Sequence, residues 1–320
     1  MLYLKDARGF DMLNFIVNPN AGGERGYRIW KRLERRLNKL HITYRVYVTG
    51  SRGEAAQIAS GLSAENTPEP CVIVAVGGDG IMNEVLDGVH LSDRLVLGYI
   101  PTGWRSDLAR GLRLPKTPGG CLARILSPRE IRTLDYAVVN YGSGEPKHRR
   151  FLVSCGAGYD AQVTESFRRH SLRHFTGTAP LGAAVSLYIS IRSLLKSHTA
   201  RGYVILDDSR RVELNHIFLL AGLMQPTEGA GLRLGTAKKG TDGGLSICIV
   251  HTKSKFQQLK IMFAALRKNP SGYAGVRTYS CRQARVVLEQ PLLLHTDGET
   301  CGEHTEYEMH CVSGKLQFIC

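Results

Sequence analysis

Apolar runs of strand length alternate with helically spaced apolar stripes over the first third of the chain. Met12–Val17 is a strand-length run, and Ile29, Trp30, Leu33, Leu37 and Leu40 make one stripe along a predicted helix over Glu24–Leu40. Thr43–Val48 alternates as a strand and Glu54–Leu62 reads as a short helix. Val72–Val76 is an unbroken apolar run, as expected of a strand buried on both faces. Ile81, Val85 and Leu86 then fall on one face of another helix, and Arg94–Ile100 is the next strand. Strands alternating with helices at this spacing predict an α/β domain, a parallel sheet with helices on both faces.

The pattern changes near Arg132–Ala137. Short strands with glycine and polar turns take over at Phe151–Ser154, Gly202–Leu206, His216–Leu220, Leu245–Val250 and Ala284–Leu288, and Leu181–Leu195 is the one long helix expected in this half. This predicts an antiparallel, β-rich C-terminal domain. The expected division is residues 1–134 and 135–320, with a last strand, Leu316–Ile319, able to return to the first domain.

The candidate chemistry lies in the turns. Val72–Val76 ends in Gly77-Gly78-Asp79-Gly80, ahead of Ile81-Met82-Asn83-Glu84-Val85. A glycine-rich turn between a buried strand and a helix N-terminus suits phosphate, because backbone N–H groups can approach the anion and the helix dipole favours it. Asp79 would repel phosphate unless a cation intervened, so it points to a divalent metal or to proton transfer. Asn18-Pro19-Asn20-Ala21-Gly22-Gly23 repeats the plan after the first strand, and Pro101-Thr102-Gly103-Trp104-Arg105-Ser106-Asp107-Leu108-Ala109 follows another. Further on come Gly156-Ala157-Gly158-Tyr159-Asp160-Ala161, Ala237-Lys238-Lys239-Gly240-Thr241-Asp242-Gly243-Gly244 and His295-Thr296-Asp297-Gly298-Glu299.

In this order, the motifs resemble those of the diacylglycerol kinase and sphingosine kinase catalytic-domain superfamily, in its small bacterial lipid-kinase form. The resemblance spans about residues 12 to 318. It implies two domains with a nucleotide cleft between them, ATP and Mg²⁺ as cofactors, and transfer of the γ-phosphate to a lipid hydroxyl, a diacylglycerol-like acceptor being favoured. By resemblance, Asn18, Pro19, Asn20, Ala21 and Gly22, with Gly77, Gly78, Gly80, Ile81 and Met82, would hold the phosphates, and Thr49, Asn83 and Glu84 would lie near the nucleotide. Gly103, Arg105 and Asp107 would complete that site. Glu299 would deprotonate the acceptor while Asp79 works with Mg²⁺; Asp79 as the base is the competing assignment. Asp242, with backbone around Lys239 and Gly244, would hold a structural Mg²⁺.

Trp104, Arg105 and Ser106 depart from the superfamily pattern, which has small hydroxyl residues and an amide there. Either Trp104 packs beneath the loop and Arg105 takes over the phosphate, or the indole fills the nucleotide site and the chain is an impaired nucleotide or lipid sensor. NAD kinase and phosphofructokinase share the Gly-Gly-Asp-Gly turn, but the later motifs fit them poorly.

Composition adds a direction. The 320 residues carry a net charge of +14, with 43% hydrophobic and 22% charged residues, an ordinary globular mixture with an anionic partner implied. No aromatic-basic nucleic-acid module is present, so a lipid substrate at an anionic membrane surface is expected, and a homodimer is possible. Arg25, Arg28, Lys31, Arg32, Arg35, Arg36 and Lys39 make the helix over Glu24–Leu40 either a solvated basic face or a lipid-touching one. Basic Arg168–His174 is a solvated loop or a lid where lipid enters. No apolar run is long enough to span a membrane, and Lys5, Asp6 and Arg8 argue against a signal peptide, so a cytoplasmic, membrane-peripheral protein is expected. The eight scattered cysteines read as buried thiols. Cys301, His304, His310 and Cys311 suggest zinc by type, but adjacent His310 and Cys311 on a strand should face opposite ways.

Overall fold

The computed structural model describes residues 10–65, 69–103, 106–142, 145–169, 181–229, 231–235, 243–267 and 270–320. The chain divides into two compact units, Met1–Leu134 with Gly314–Cys320, and Asp135–Ser313.

In the first unit the order is β1 (Leu13–Val17), α1 (Ala21–Lys39), β2 (Tyr44–Val48), α2 (Glu54–Ala64), β3 (Cys71–Gly77), α3 (Asp79–Gly88), β4 (Leu95–Pro101), α4 (Asp107–Gly111) and α5 (Pro118–Leu126). The strands pair in parallel in the order β4-β3-β1-β2. Residues Gln317 and Phe318 add a further parallel pairing beside Val96 and Leu97 of β4. The chain steps one way from β1 to β2 and the other way from β2 to β3 and β4, so right-handed crossovers put α1 and α2–α3 on opposite faces. Trp30, Leu33 and Leu37 of α1 pack with Phe15, Val74 and Val76, and the Phe15 and Trp30 rings lie 5.1 Å apart. Helix α1 begins earlier than its apolar stripe predicts, but Gly22 and Gly23 at its start take left-handed backbone, φ 64° and 68°.

The second unit takes in most of β5 (Ile131–Tyr141), then β6 (Lys147–Phe151), β7 (Ser154–Gly158), α6 (Tyr159–Arg169), α7 (Leu181–Lys196), β8 (Ala200–Leu206), β9 (Arg210–Leu223), β10 (Leu245–His251), α8 (Lys255–Arg267), β11 (Val276–Cys281), β12 (Gln283–Thr296) and most of β13 (Glu299–Ile319). Pairing here is antiparallel, in the order β11-β10-β9-β7-β12-β13, with β8 bridging β9 and β12 and β6 pairing β5. Tyr159, Leu194, Ile261, Met262 and Ala265 bring α6, α7 and α8 against Phe218, Leu219, Cys248 and Val250 of the sheet.

Three local expectations differ. Phe151–Ser154 is not one strand: β6 ends at Phe151 and β7 starts at Ser154. Helices α6 and α8 join α7, so Leu181–Leu195 is not the one long helix of this half. The strand expected at Ala284–Leu288 does not stop there: β12 runs on past Pro291 through a register shift between Val287 and Leu292, where a bulge dispenses with the missing N–H. All eight cysteines are free thiols. Among the described residues no helix is long and apolar enough to cross a membrane.

Candidate active site

Strands β1, β3 and β4 are neighbours and parallel, so the turns after them emerge at the same end of the sheet, the position at which open α/β sheets bind ligands. These are the Asn18–Gly22, Gly77–Gly80 and Pro101–Gly103 turns. They are tied together: the Asn18 N–H donates to Val76 O at 2.9 Å and the Thr102 N–H to Gly77 O at 2.8 Å. The Asn18 side chain accepts from Asn20 N–H at 3.0 Å, closing its turn. Gly22, at φ 64°, leaves room that a Cβ would take up 3.2 Å from Thr102 O. At Gly77 a Cβ would lie 2.7 Å from Ile81 Cγ2 and 3.3 Å from Asn18 Cβ, so only glycine lets strand, turn and helix meet so closely.

Asp79 is the first residue of α3, whose N-cap Gly78 offers no side-chain cap to the first N–H groups. Its Oδ1 accepts from Tyr99 Oη at 2.9 Å and Ser106 Oγ at 2.5 Å, and its Oδ2 from Asp107 N–H at 2.8 Å. The residue is half-buried but its carboxylate is enclosed. Burial, with the charge of Asp107 adding to it, raises its pKa to about 6 against the pull of the three donors. Ser106 also caps α4, accepting from Ala109 N–H at 2.9 Å. Asp107 is buried and paired with Arg110 at 3.1 Å.

The other predicted positions divide by what their side chains do. Thr49 is buried, and its N–H donates to Val17 O at 2.9 Å at the same sheet end. The Glu84 carboxylate accepts from Gly53 N–H at 3.1 Å, anchoring the turn before α2. The side chains of Ile81, Met82 and Asn83 are buried, so they pack into the fold. Trp104 and Arg105, on which the choice between the two loop readings turns, lie outside the described residues, as do Lys239 and Asp242 and most of Arg168–His174. Of the expected structural metal set only Gly244 is described; beside it, Gly243 N–H donates to the buried Asp135 carboxylate at 2.8 Å.

In the second unit Asp297 and Gly298 form the tight hairpin between β12 and β13, with φ 46° and 86°, and Thr296 pairs with Glu299. The Asp297 carboxylate accepts from the N–H groups of Leu152, Val153 and Ser154 at 2.8, 2.9 and 2.9 Å. The Asp of this motif is thus an anchor, and it presents Glu299 from a fixed hairpin. Glu299 in turn raises the pKa of Arg168, though less than Glu165 does through its hydrogen bond. Glu165 pairs with Arg168 and Arg169 and accepts from Thr300 Oγ1 at 3.2 Å, which ties α6 to the residue after Glu299.

A buried cluster joins two of the singled-out stretches, through Asp160 and His295, to Glu228, which no expectation included. His295 Nε2 lies 3.1 Å from Asp160 Oδ2, and His295 Nδ1 accepts from Gly298 N–H at 3.3 Å. Together with Glu228 these side chains place their polar atoms within 4.8 Å of one another, the one group of three or more His, Cys, Asp or Glu among the described residues that is spaced to hold a metal ion. Burial, with the Asp160 charge adding to it, raises the Glu228 carboxyl to about 8 and so favours its protonated form. Burial pushes the His295 imidazole down, but Asp160 and Glu228 together raise it above its ordinary value. Cys301 and Cys311 instead pack against the β core, while the His304 ring packs on Tyr141 at 4.9 Å.

Residues 12–139 match the family model of the diacylglycerol kinase catalytic domain, and that span holds all three turns. Over that span the chain carries the diacylglycerol kinase catalytic domain, and the relatives below support the lipid kinase superfamily. Its members are phosphotransferases, and this one is a kinase by family. A diacylglycerol kinase of Staphylococcus aureus is 26% identical over 292 residues, covering 90% of this chain and 86% of that one. A solved structure of a diacylglycerol kinase from Bacillus anthracis has a TM-score of 0.67 at 17% identity and covers 97% of both chains. A solved NAD kinase from Archaeoglobus fulgidus in complex with ATP has a TM-score of 0.53 at 12% identity, over 97% of this chain and 94% of that one. The two structural likenesses show a fold shared by the superfamily and NAD kinase, so the fold by itself does not choose the acceptor.

Proposed function

We propose that this kinase transfers the γ-phosphate of ATP to the hydroxyl of a diacylglycerol-like lipid presented at an anionic membrane surface, working peripherally on the cytoplasmic side. The observation that carries the reading is Asp79, an enclosed carboxylate held by three donors at an uncapped helix N-terminus, inside a glycine turn.

The Gly77–Gly80 backbone and the N-terminus of α3 would take the phosphates, with the Asn18–Gly22 turn and Gly103 closing over them. Asp79 and Asp107 both belong to this loop, and carboxylate oxygen is the ligand type that a divalent cation takes. Mg²⁺ bound there would neutralise phosphate charge. Glu299 is the proposed base. It accepts the proton of the acceptor hydroxyl as that oxygen bonds to the γ-phosphorus, and the bond to the β-phosphate oxygen breaks to leave ADP. Asp297, holding three N–H groups, keeps the Glu299 hairpin rigid, so little reorganisation is required as charge moves.

The test is γ-labelled ATP offered with diacylglycerol, monoacylglycerol, phosphatidylglycerol, ceramide and sphingoid bases, followed by organic extraction. Label in a phosphorylated glycerolipid supports the reading. Label in inorganic phosphate alone, or in NADP when NAD is supplied, overturns it.

A further inference from the structure

We infer that the outward face of α7 and α8 is the surface by which this protein docks on an anionic phospholipid bilayer. The inference deepens the lipid-kinase reading and rests on it for its biological sense, though not for its physical test.

Large apolar side chains are exposed at Leu187, Tyr188, Ile191 and Leu195 of α7 and at Phe256, Phe263 and Leu266 of α8. On α7 they recur at helical spacing, so they form a stripe and not scattered exceptions. The opposite face of each helix is already occupied, since Val185 and Ile189 of α7 and Ile261, Met262 and Ala265 of α8 are buried. The outward stripes therefore take no part in the core.

The two stripes are joined. Lys255, the first residue of α8, donates to the carbonyl oxygens of Leu194 and Ser197 at 2.7 and 2.5 Å and to Ser197 Oγ at 2.8 Å. This ammonium ties the C-terminus of α7, where Leu195 is 66% exposed, to the start of α8, where Phe256 is 79% exposed. A groove of about 600 Å³ continues along α8, lined by Phe256, Lys260, Phe263, Arg267 and Tyr273 among others.

Charge selects the occupant. Both helices lack acidic residues, and their exposed charges, Arg192, Lys196, Lys260 and Arg267, are all cationic. Two copies of this face brought together about a two-fold axis would set cations against cations. An anionic bilayer accepts both features at once, with acyl chains meeting the apolar stripe and headgroup phosphates meeting the rim. Helix α1, the basic helix singled out in the sequence, is built differently. Its apolar Trp30, Leu33 and Leu37 are buried, and its outer face offers mainly charge. It can attract a membrane but has little to insert.

The experiment is co-sedimentation with vesicles of phosphatidylcholine alone or mixed with phosphatidylglycerol. The wild type is expected to bind the mixed vesicles and to be released as salt rises. Leu195→Ser with Phe256→Ser should lower partitioning about a hundredfold or more. Lys260→Glu or Arg267→Glu should lower it at least roughly fivefold, on anionic vesicles only. Phe256→Trp, which removes nothing from the face, should show a quenching component in brominated lipid that is absent from the wild type. These positions are exposed, so matching circular dichroism will show that the variants are folded.

Unchanged binding by the Leu195→Ser, Phe256→Ser protein, or no added quenching in the Phe256→Trp protein, overturns the inference. So does a wild-type dimer in sedimentation velocity that the double serine variant breaks, since the face would then meet a second copy. Turnover with a short-chain acceptor free in solution separates the two readings. A wild type that docks through this face but phosphorylates no lipid upholds the docking surface and refutes the function proposed above.

Discussion

Replacing Asp79 by Asn changes the charge of one buried side chain and almost nothing of its shape. The rise in its pKa from 3.8 to about 6 means that the fold favours the protonated carboxyl. Stability is therefore lost as pH climbs through that window, and the full cost stands at neutral pH. Converted, the cost is at most about 3 kcal/mol, an upper bound because part of the residue faces solvent. Asn removes that cost. It also turns one acceptor oxygen into an amide NH₂, set either against Asp107 N–H or against the hydroxyls of Tyr99 and Ser106. Losing one charge-assisted hydrogen bond costs roughly 1.5–3 kcal/mol. The two terms nearly cancel, so Asp79→Asn should unfold in urea within about 2 kcal/mol of the wild type at pH 7.5. Its turnover should fall by at least about a hundredfold, because the charge that acts on phosphate or its cation is gone. A variant with wild-type turnover refutes the reasoning. A loss of more than about 4 kcal/mol would do so in another way, by showing that the charged carboxylate is there to hold the loop together.

Three further outcomes follow from the same contacts. Tyr99→Phe removes a donor from Asp79 Oδ1, and donors hold its pKa down, so the acidic limb of the kcat/KM profile should move upward from about 6 by about 1–2 pH units; a limb that stays in place would disconnect Asp79 from the rate. Asp297→Ala leaves three backbone N–H groups without their acceptor and should cost roughly 3 kcal/mol or more in denaturant unfolding, whereas Glu299→Gln should leave stability unchanged and remove turnover. Gly156→Ala places a methyl group onto Asp160 Oδ2 and 2.8 Å from His295 Nε2, so it should expel one of them and lower the melting temperature; unchanged stability would show that the buried cluster is free to rearrange.

The elements legible in the sequence are those whose burial is periodic. Val72–Val76 and the glycine turn behind it read directly, because a buried strand and its turn impose constraints within a few residues. Helix α8 does not read as a helix, since the exposed Phe256, Phe263 and Leu266 blur its apolar face. Partnerships across the chain are also silent. Tyr99 and Ser106 meet Asp79 from 20 and 27 residues away, and His295 meets Asp160 across 135. Ser106 is instructive: as a departure from the superfamily amide it reads as a defect, yet its hydroxyl both donates to Asp79 and caps α4. The Asp-Gly of the last motif is a hairpin turn, and it is the anchoring of that turn by Asp297 that makes it a platform for Glu299.

Asp79 and Glu299 are each proposed to act in the transfer from ATP to a lipid hydroxyl. The most direct measurement is a single-turnover reaction of γ-labelled ATP with short-chain diacylglycerol, run side by side for wild type, Asp79→Asn and Glu299→Gln at saturating nucleotide. Label is expected in the phosphorylated lipid for the wild type and almost none for either variant, with Glu299→Gln still binding ATP normally. Labelled lipid formed at the wild-type rate by either variant would contradict it.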